Sequence, residues 1–67
     1  MLFRSGDIYV NPRGRAYEVL RAAPTPERPD RIIVRAIRGG EDTASGALMT
    51  PENGWRLEAE GSGEVIL

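Results

Sequence analysis

Gly6-Asp7-Ile8-Tyr9-Val10, then Asn11-Pro12-Arg13-Gly14-Arg15, then Ala16-Tyr17-Glu18-Val19-Leu20 is the stretch on which the fold class turns. Its first and last segments are rich in β-branched and aromatic residues, and the five residues between them carry a proline and a glycine. That pattern is the local signature of two antiparallel strands folding back on each other. The second strand alternates imperfectly. Tyr17, Val19 and Arg21 fall on one side, and Ala16, Glu18, Leu20 and Ala22 on the other, which a strongly bent barrel strand tolerates better than a flat sheet does.

Downstream, Pro24-Thr25-Pro26-Glu27-Arg28-Pro29-Asp30 holds too many prolines for a helix or a central strand and reads as a stiff, exposed connection. Arg31-Ile32-Ile33-Val34-Arg35-Ala36-Ile37-Arg38 is the strongest apolar run, and its β-branched content favours a buried strand ending at Gly39-Gly40. A two-turn helix capped by Asp30 and terminated by Gly39 is the competing reading. Glu41 to Gly46 reads as a polar loop leading into a short strand, Ala47-Leu48-Met49. Thr50-Pro51-Glu52-Asn53-Gly54 is a turn. Beyond it, Trp55, Leu57 and Ala59 alternate with Arg56, Glu58 and Glu60 as a half-buried strand would. Gly61-Ser62-Gly63 breaks that strand, and Glu64-Val65-Ile66-Leu67 predicts a last strand on a sheet edge beside Leu2 and Phe3. Five or six short strands with a turn about every ten residues predict a small all-β, SH3-like barrel.

The span from Tyr9 through Gly14 to Tyr17-Glu18-Val19-Leu20 resembles a small uncharacterised bacterial family of SH3-like barrels, whose hairpin reads Tyr-x-His-Tyr-Lys-Gly-x-x-Tyr-x-Val-Leu. Both tyrosines, Gly14 and the Val-Leu pair match in register, and Arg13 stands where that family has a lysine. Asn11 and Pro12 replace its His-Tyr pair. The resemblance covers about a dozen residues, extends loosely to Ile37, and implies a fold without implying an activity.

Size and composition narrow the function. Sixty-seven residues make one domain, for which area scaling predicts a folded surface of roughly 4,200 Å² and a modest core. A barrel closed on itself, or a partner subunit, would add burial that so short a chain lacks. There is no cysteine, hence no disulfide, thiolate nucleophile or zinc ribbon, as fits a reducing cytoplasm. No histidine or lysine is present either, which removes the usual general bases and any Schiff-base chemistry; arginine as the sole basic residue is in keeping with a GC-rich coding genome. Neither a signal-peptide core nor a membrane-spanning run appears, so the expectation is a cytoplasmic protein without a membrane partner. Catalysis would have to run on Asp, Glu, Tyr, Ser, Thr or Arg in a domain with little room for a dry pocket. The chain therefore reads as a non-enzyme without cofactor.

Charge is unevenly spread. Residues 1–38 hold eight arginines against four acidic residues, and residues 39–67 hold one arginine against six. Such a division can mark a polar partner or a head-to-tail self-contact, or it can be neutralised within the fold. The candidate partner-binding residues are Arg13 and Arg15 flanking Gly14, with Tyr9 and Tyr17 on the adjoining strands. Guanidinium groups beside aromatic faces can grip phosphates or stack on bases. Arg31, Arg35 and Arg38 would extend that basic face if the third strand lies beside the hairpin. Trp55 is either the core anchor of its strand or a half-exposed interface residue at the barrel rim. Glu41, Asp42, Thr43 and Ser45 lack the oxygen count of a calcium loop, and Gly39-Gly40 and Gly61-Ser62-Gly63 lack the lysine and spacing of a phosphate loop.

The sequence thus points to a small interaction module that binds a larger protein assembly as an accessory or inhibitory factor of bacterial, phage or mobile-element origin. A nucleic-acid-binding barrel using Arg13, Arg15, Tyr17 and Arg35 is the alternative, with the net acidity of the chain weighing against strong nonspecific DNA affinity. Homodimerisation through Val65, Ile66 and Leu67 is a third arrangement.

Overall fold

A computed structural model describes residues 3–67. Five strands, β1 (Ile8–Val10), β2 (Ala16–Ala22), β3 (Arg31–Ala36), β4 (Glu41–Ser45) and β5 (Arg56–Ala59), pair antiparallel in one sheet of order β4-β3-β2-β1-β5. Two 3-10 turns, Gly46–Leu48 and Pro51–Asn53, join β4 to β5. The result is a small all-β, SH3-like barrel, with a radius of gyration of 10.8 Å against the roughly 11 Å expected of a compact chain of this length. Hydrogen bonding does not close it, and β4 and β5 remain as edges.

The hairpin is as the sequence reads, except that β1 begins at Ile8. Gly6 and Asp7 belong to a turn in which the Asp7 N–H donates to the Arg4 carbonyl at 3.1 Å. Asn11 and Arg15 close a three-residue hairpin loop, Pro12 to Gly14. Asn11 N–H donates to the Arg15 carbonyl and Gly14 N–H to the Asn11 carbonyl, both at 2.9 Å. Gly14 has φ of 82°, the left-handed position that a side chain disfavours and that this loop length calls for. The Asn11 side chain then accepts the Arg13 N–H at 3.0 Å and the Arg15 N–H at 2.9 Å, so its presence before Pro12 makes the tip a self-satisfied loop.

The irregular phase of β2 has a local cause. Its register with β3 shifts between Val19 and Arg21, so Leu20 is a bulge that turns Ala22 to the side on which Val19 lies and Arg21 to the other. The Leu20 carbonyl is taken up by the Ser5 hydroxyl at 3.1 Å. Phe3, Tyr9, Val19, Ile32, Val34 and Met49 form the core, with Tyr17, Ala44, Trp55, Ile66 and Leu67 packed around it. β3 is a strand, not the competing helix, because its β-branched residues lie between two partners.

Three expectations are corrected. Glu41 to Ser45, read as a loop, is β4: it is polar because it is an edge strand whose first three residues face solvent, so Ala44 is its one apolar residue packed on the core. Ala47 to Met49 is not a strand. Gly46–Leu48 makes a 3-10 turn that inserts Met49 alone into the core, with the Ala47 N–H held by the Asp30 carboxylate at 3.0 Å. The same oxygen accepts the Ser45 hydroxyl, and these two donors hold the Asp30 carboxyl below the usual carboxylate range. Finally, Trp55 to Glu60 does contain a strand, but Leu57 is 43 % exposed. β5 is an edge with a register irregularity against β1 between Ile8 and Tyr9, and its alternation does not translate into burial.

The segment 64–67, read as a last strand on a sheet edge, adds no strand to the sheet and pairs with residues 3–5 instead. Phe3 N–H donates to the Leu67 carbonyl, Ile66 N–H to the Phe3 carbonyl and Ser5 N–H to the Glu64 carbonyl, with a single bridge between Arg4 and Val65. The predicted contact with Leu2 lies outside the described residues. Asp7, 3 % exposed, seals this end. One carboxylate oxygen accepts the Arg4 N–H at 2.9 Å and the other the Gly61 N–H at 2.6 Å. Gly61 lies so close to the Ser5–Asp7 backbone that a Cβ there would sit 2.4 Å from the Ser5 carbonyl oxygen.

Candidate functional site

The antiparallel pairing sets Tyr17 opposite Ala36, which brings the β1–β2 hairpin tip alongside the turn that leaves β3. Gly39 N–H closes the second turn on the Ala36 carbonyl at 3.0 Å, and Ile37 N–H donates to the Ala16 carbonyl at 3.2 Å, tying the two tips together. Between them runs a half-open groove of about 540 Å³. Arg13, Gly14, Arg15 and Ala16 line it from the hairpin tip and Ala36, Ile37, Arg38 and Gly39 from the end of β3 and the turn after it. That volume lies within the range of sites that enclose a drug-sized ligand or a few side chains.

The groove is electrostatically one-sided. Among the described residues the ion pairs are Arg21 with Glu41, Arg35 with Glu18 and Arg56 with Glu58; Arg13, Arg15 and Arg38 have no acidic partner, and no acidic residue lines the groove. Ile37 adds an apolar wall that is 56 % exposed. Unpaired guanidinium groups beside an exposed aliphatic side chain form a surface that can take a carboxylate or phosphate and an apolar group together.

Each residue singled out in the sequence has a definite place. Arg13 and Arg15 stand at the hairpin tip on the groove wall. Tyr9 is 4 % exposed in the core, its ring 5.2 Å from that of Phe3, so it is not a surface platform; burial, then the nearby Asp7 and Glu60 carboxylates, pushes its hydroxyl above the ordinary tyrosine range. Tyr17 and Trp55 are half-buried and pack on each other at 5.9 Å with planes tilted by 46°. Arg35 extends no basic face. It is bound to Glu18 at 2.5 Å on the outer side of the sheet, beside a second pair, Arg21 with Glu41 at 3.3 Å. Of the arginines of the third-strand region, Arg38 alone reaches the groove. Arg31 is half-buried, with its Nε enclosed and without a partner.

Ile66 and Leu67, read as dimer contacts, pack on the chain's own core, while Val65 stays exposed. Among the described residues no three of His, Cys, Asp and Glu converge to hold a metal ion, and no helix is long and apolar enough to cross a membrane.

Sequence reasoning did not find Ile37 as a wall residue, Asn11 as the organiser of the tip, or Asp7 as a buried clamp. The Asn-Pro-x-Gly order of a three-residue loop is a signal for the second. The others depend on contacts distant in sequence. No protein-family model, curated protein or solved structure matches the chain.

Proposed function

We propose that this protein is a non-enzymatic interaction module that docks on a larger protein assembly, as an accessory or inhibitory factor, through the groove between its two hairpin tips. The observation that carries this reading is the set of three arginines without acidic partners, Arg13, Arg15 and Arg38, lining one groove with Ile37 exposed beside them. The sheet edges support the same choice. On β4, the Asp42 carboxylate takes the Thr43 N–H at 2.8 Å, and β5 is four residues long, irregular in register and charged at Arg56 and Glu58. Both are devices that discourage strand addition.

A nucleic-acid reading draws on the same three arginines, but Arg35 and Arg21, on the neighbouring strands, carry acidic partners across the sheet. The experiment is affinity capture with the wild-type chain and with the Arg13→Glu/Arg15→Glu/Arg38→Glu variant, with the bound material identified by mass spectrometry. A protein retained by the wild type and lost by the variant is the expected result. Equal retention by both would remove the groove from the function.

A further inference from the structure

The shape of the groove's donors narrows what it accepts. A compact anion such as phosphate is normally cradled by converging backbone N–H groups, yet four of those at the tips are already spent. Arg13 and Arg15 N–H bind the Asn11 side chain, Gly14 N–H binds the Asn11 carbonyl, and Gly39 N–H binds the Ala36 carbonyl. What the groove offers a ligand is chiefly side chains: two guanidinium groups from the hairpin tip, one from the turn after β3, and the Ile37 aliphatic surface. Arginine forks match carboxylates in a planar, bidentate geometry. Cations contributed by both tips fit a ligand whose negative charges are spaced along an extended backbone. The exposed Ile37 fits an apolar side chain between those charges. A single-stranded nucleic acid would instead call for aromatic faces along a basic track, and the groove lining contains none.

We infer that the groove binds an extended acidic peptide segment, with carboxylates on Arg13, Arg15 and Arg38 and an aliphatic side chain against Ile37. This rests on the groove being the docking surface and adds the chemistry of the segment it takes. The fixed tip supports it, since a loop whose own donors are satisfied presents its two arginines with less ordering on binding.

The test uses fluorescein-labelled peptides in anisotropy titrations with the intact protein: Glu-Glu-Leu-Glu-Glu, its uncharged analogue Gln-Gln-Leu-Gln-Gln, and Glu-Glu-Gly-Glu-Glu without the apolar side chain. An oligothymidylate of the same label is the nucleic-acid arm. The expected result is saturable binding of the acidic leucine peptide that weakens by about tenfold or more without its charges, weakens further between about 50 and about 200 mM salt, and is lost in the triple glutamate variant. Ile37→Ala should weaken the leucine peptide and leave the glycine peptide unchanged. Equal binding of the uncharged analogue, no binding of the acidic peptide, or tighter binding of the oligothymidylate each overturns the inference. If those results come with capture that still depends on the three arginines, the docking reading stands and only the ligand class falls. If capture is also independent of them, both fall. The wild-type arms decide the ligand class even should the triple variant not fold.

Discussion

At one end of the barrel residues 3–7 meet residues 61–67, and there backbone donors and acceptors satisfy one another while Asp7 takes two further N–H groups in a buried position. At the other end the two hairpin tips face each other, the backbone donors of the β1–β2 loop are satisfied within it, and three arginines are left without acidic partners. The first end spends its polar groups on holding a small core shut; the second spends them only on shaping a loop and leaves its charges for something else. A domain of 67 residues has a net stability of only about 3–10 kcal/mol, so substitutions at the two ends should differ in kind as well as in size.

The largest effect is expected at Gly61. A Cβ there would meet the Ser5 carbonyl oxygen at 2.4 Å and the Asp7 nitrogen at 2.5 Å. Because backbone cannot step aside as a flexible side chain can, Gly61→Ala should cost about 3 kcal/mol or more. Thermal unfolding followed by circular dichroism should show the midpoint lowered by more than about 12 °C, or no cooperative transition at all. A stable Gly61→Ala variant would mean that the two segments are not held together as described.

Asp7→Asn keeps one acceptor oxygen and replaces the other with a donor, orphaning either the Arg4 or the Gly61 N–H in a buried site. The expected loss is about 1–3 kcal/mol, read from urea unfolding with an unchanged m-value.

How much of this contrast the sequence reveals depends on distance along the chain. The hairpin tip, the β3 strand and the turn at Thr50 to Gly54 are written in short runs of proline, asparagine, glycine and β-branched residues, and each is present in the fold. β4 is a strand because β3 offers it an edge, with Ile33 opposite Thr43 and Ile32 opposite Ala44, and a polar pentapeptide carries no mark of that. Asp7 looks like any strand-leading acid until Gly61 is placed beside it. The candidate site is legible in part. Arg13 and Arg15 stand out beside Gly14, whereas the sorting of Arg35 into an ion pair and Arg38 into the groove needs the cross-strand register.

A smaller effect separates the ends by pH. Asp30, near the 3–7 end through the contact of Gly46 with Phe3, has its pKa lowered chiefly by the Ser45 hydroxyl and then by the Ala47 N–H. A carboxyl whose folded pKa is depressed contributes stability that is present above its unfolded pKa and is lost as pH falls through the folded value. The wild type should therefore lose stability on acidification below the ordinary carboxylate range, and Ser45→Ala should lose less over the same interval. Parallel curves for the two proteins would remove Asp30 from the account.

The smallest effect on folding belongs to the groove. Reversing Arg13, Arg15 and Arg38 to glutamate touches exposed side chains without partners, so each should change stability by no more than about 0.5 kcal/mol. The same variant is the one expected to abolish docking, and a folding defect as large as that of Gly61→Ala would erase the distinction between the two ends.

The most direct test of the central claim is an amide nitrogen–proton correlation spectrum of the labelled protein, recorded during titration with the acidic leucine peptide. The account predicts shifts concentrated at residues 13–16 and 36–39, with residues 3–7 and 61–67 unmoved. Shifts concentrated on β5 or around Asp7, with the hairpin tips silent, would contradict it.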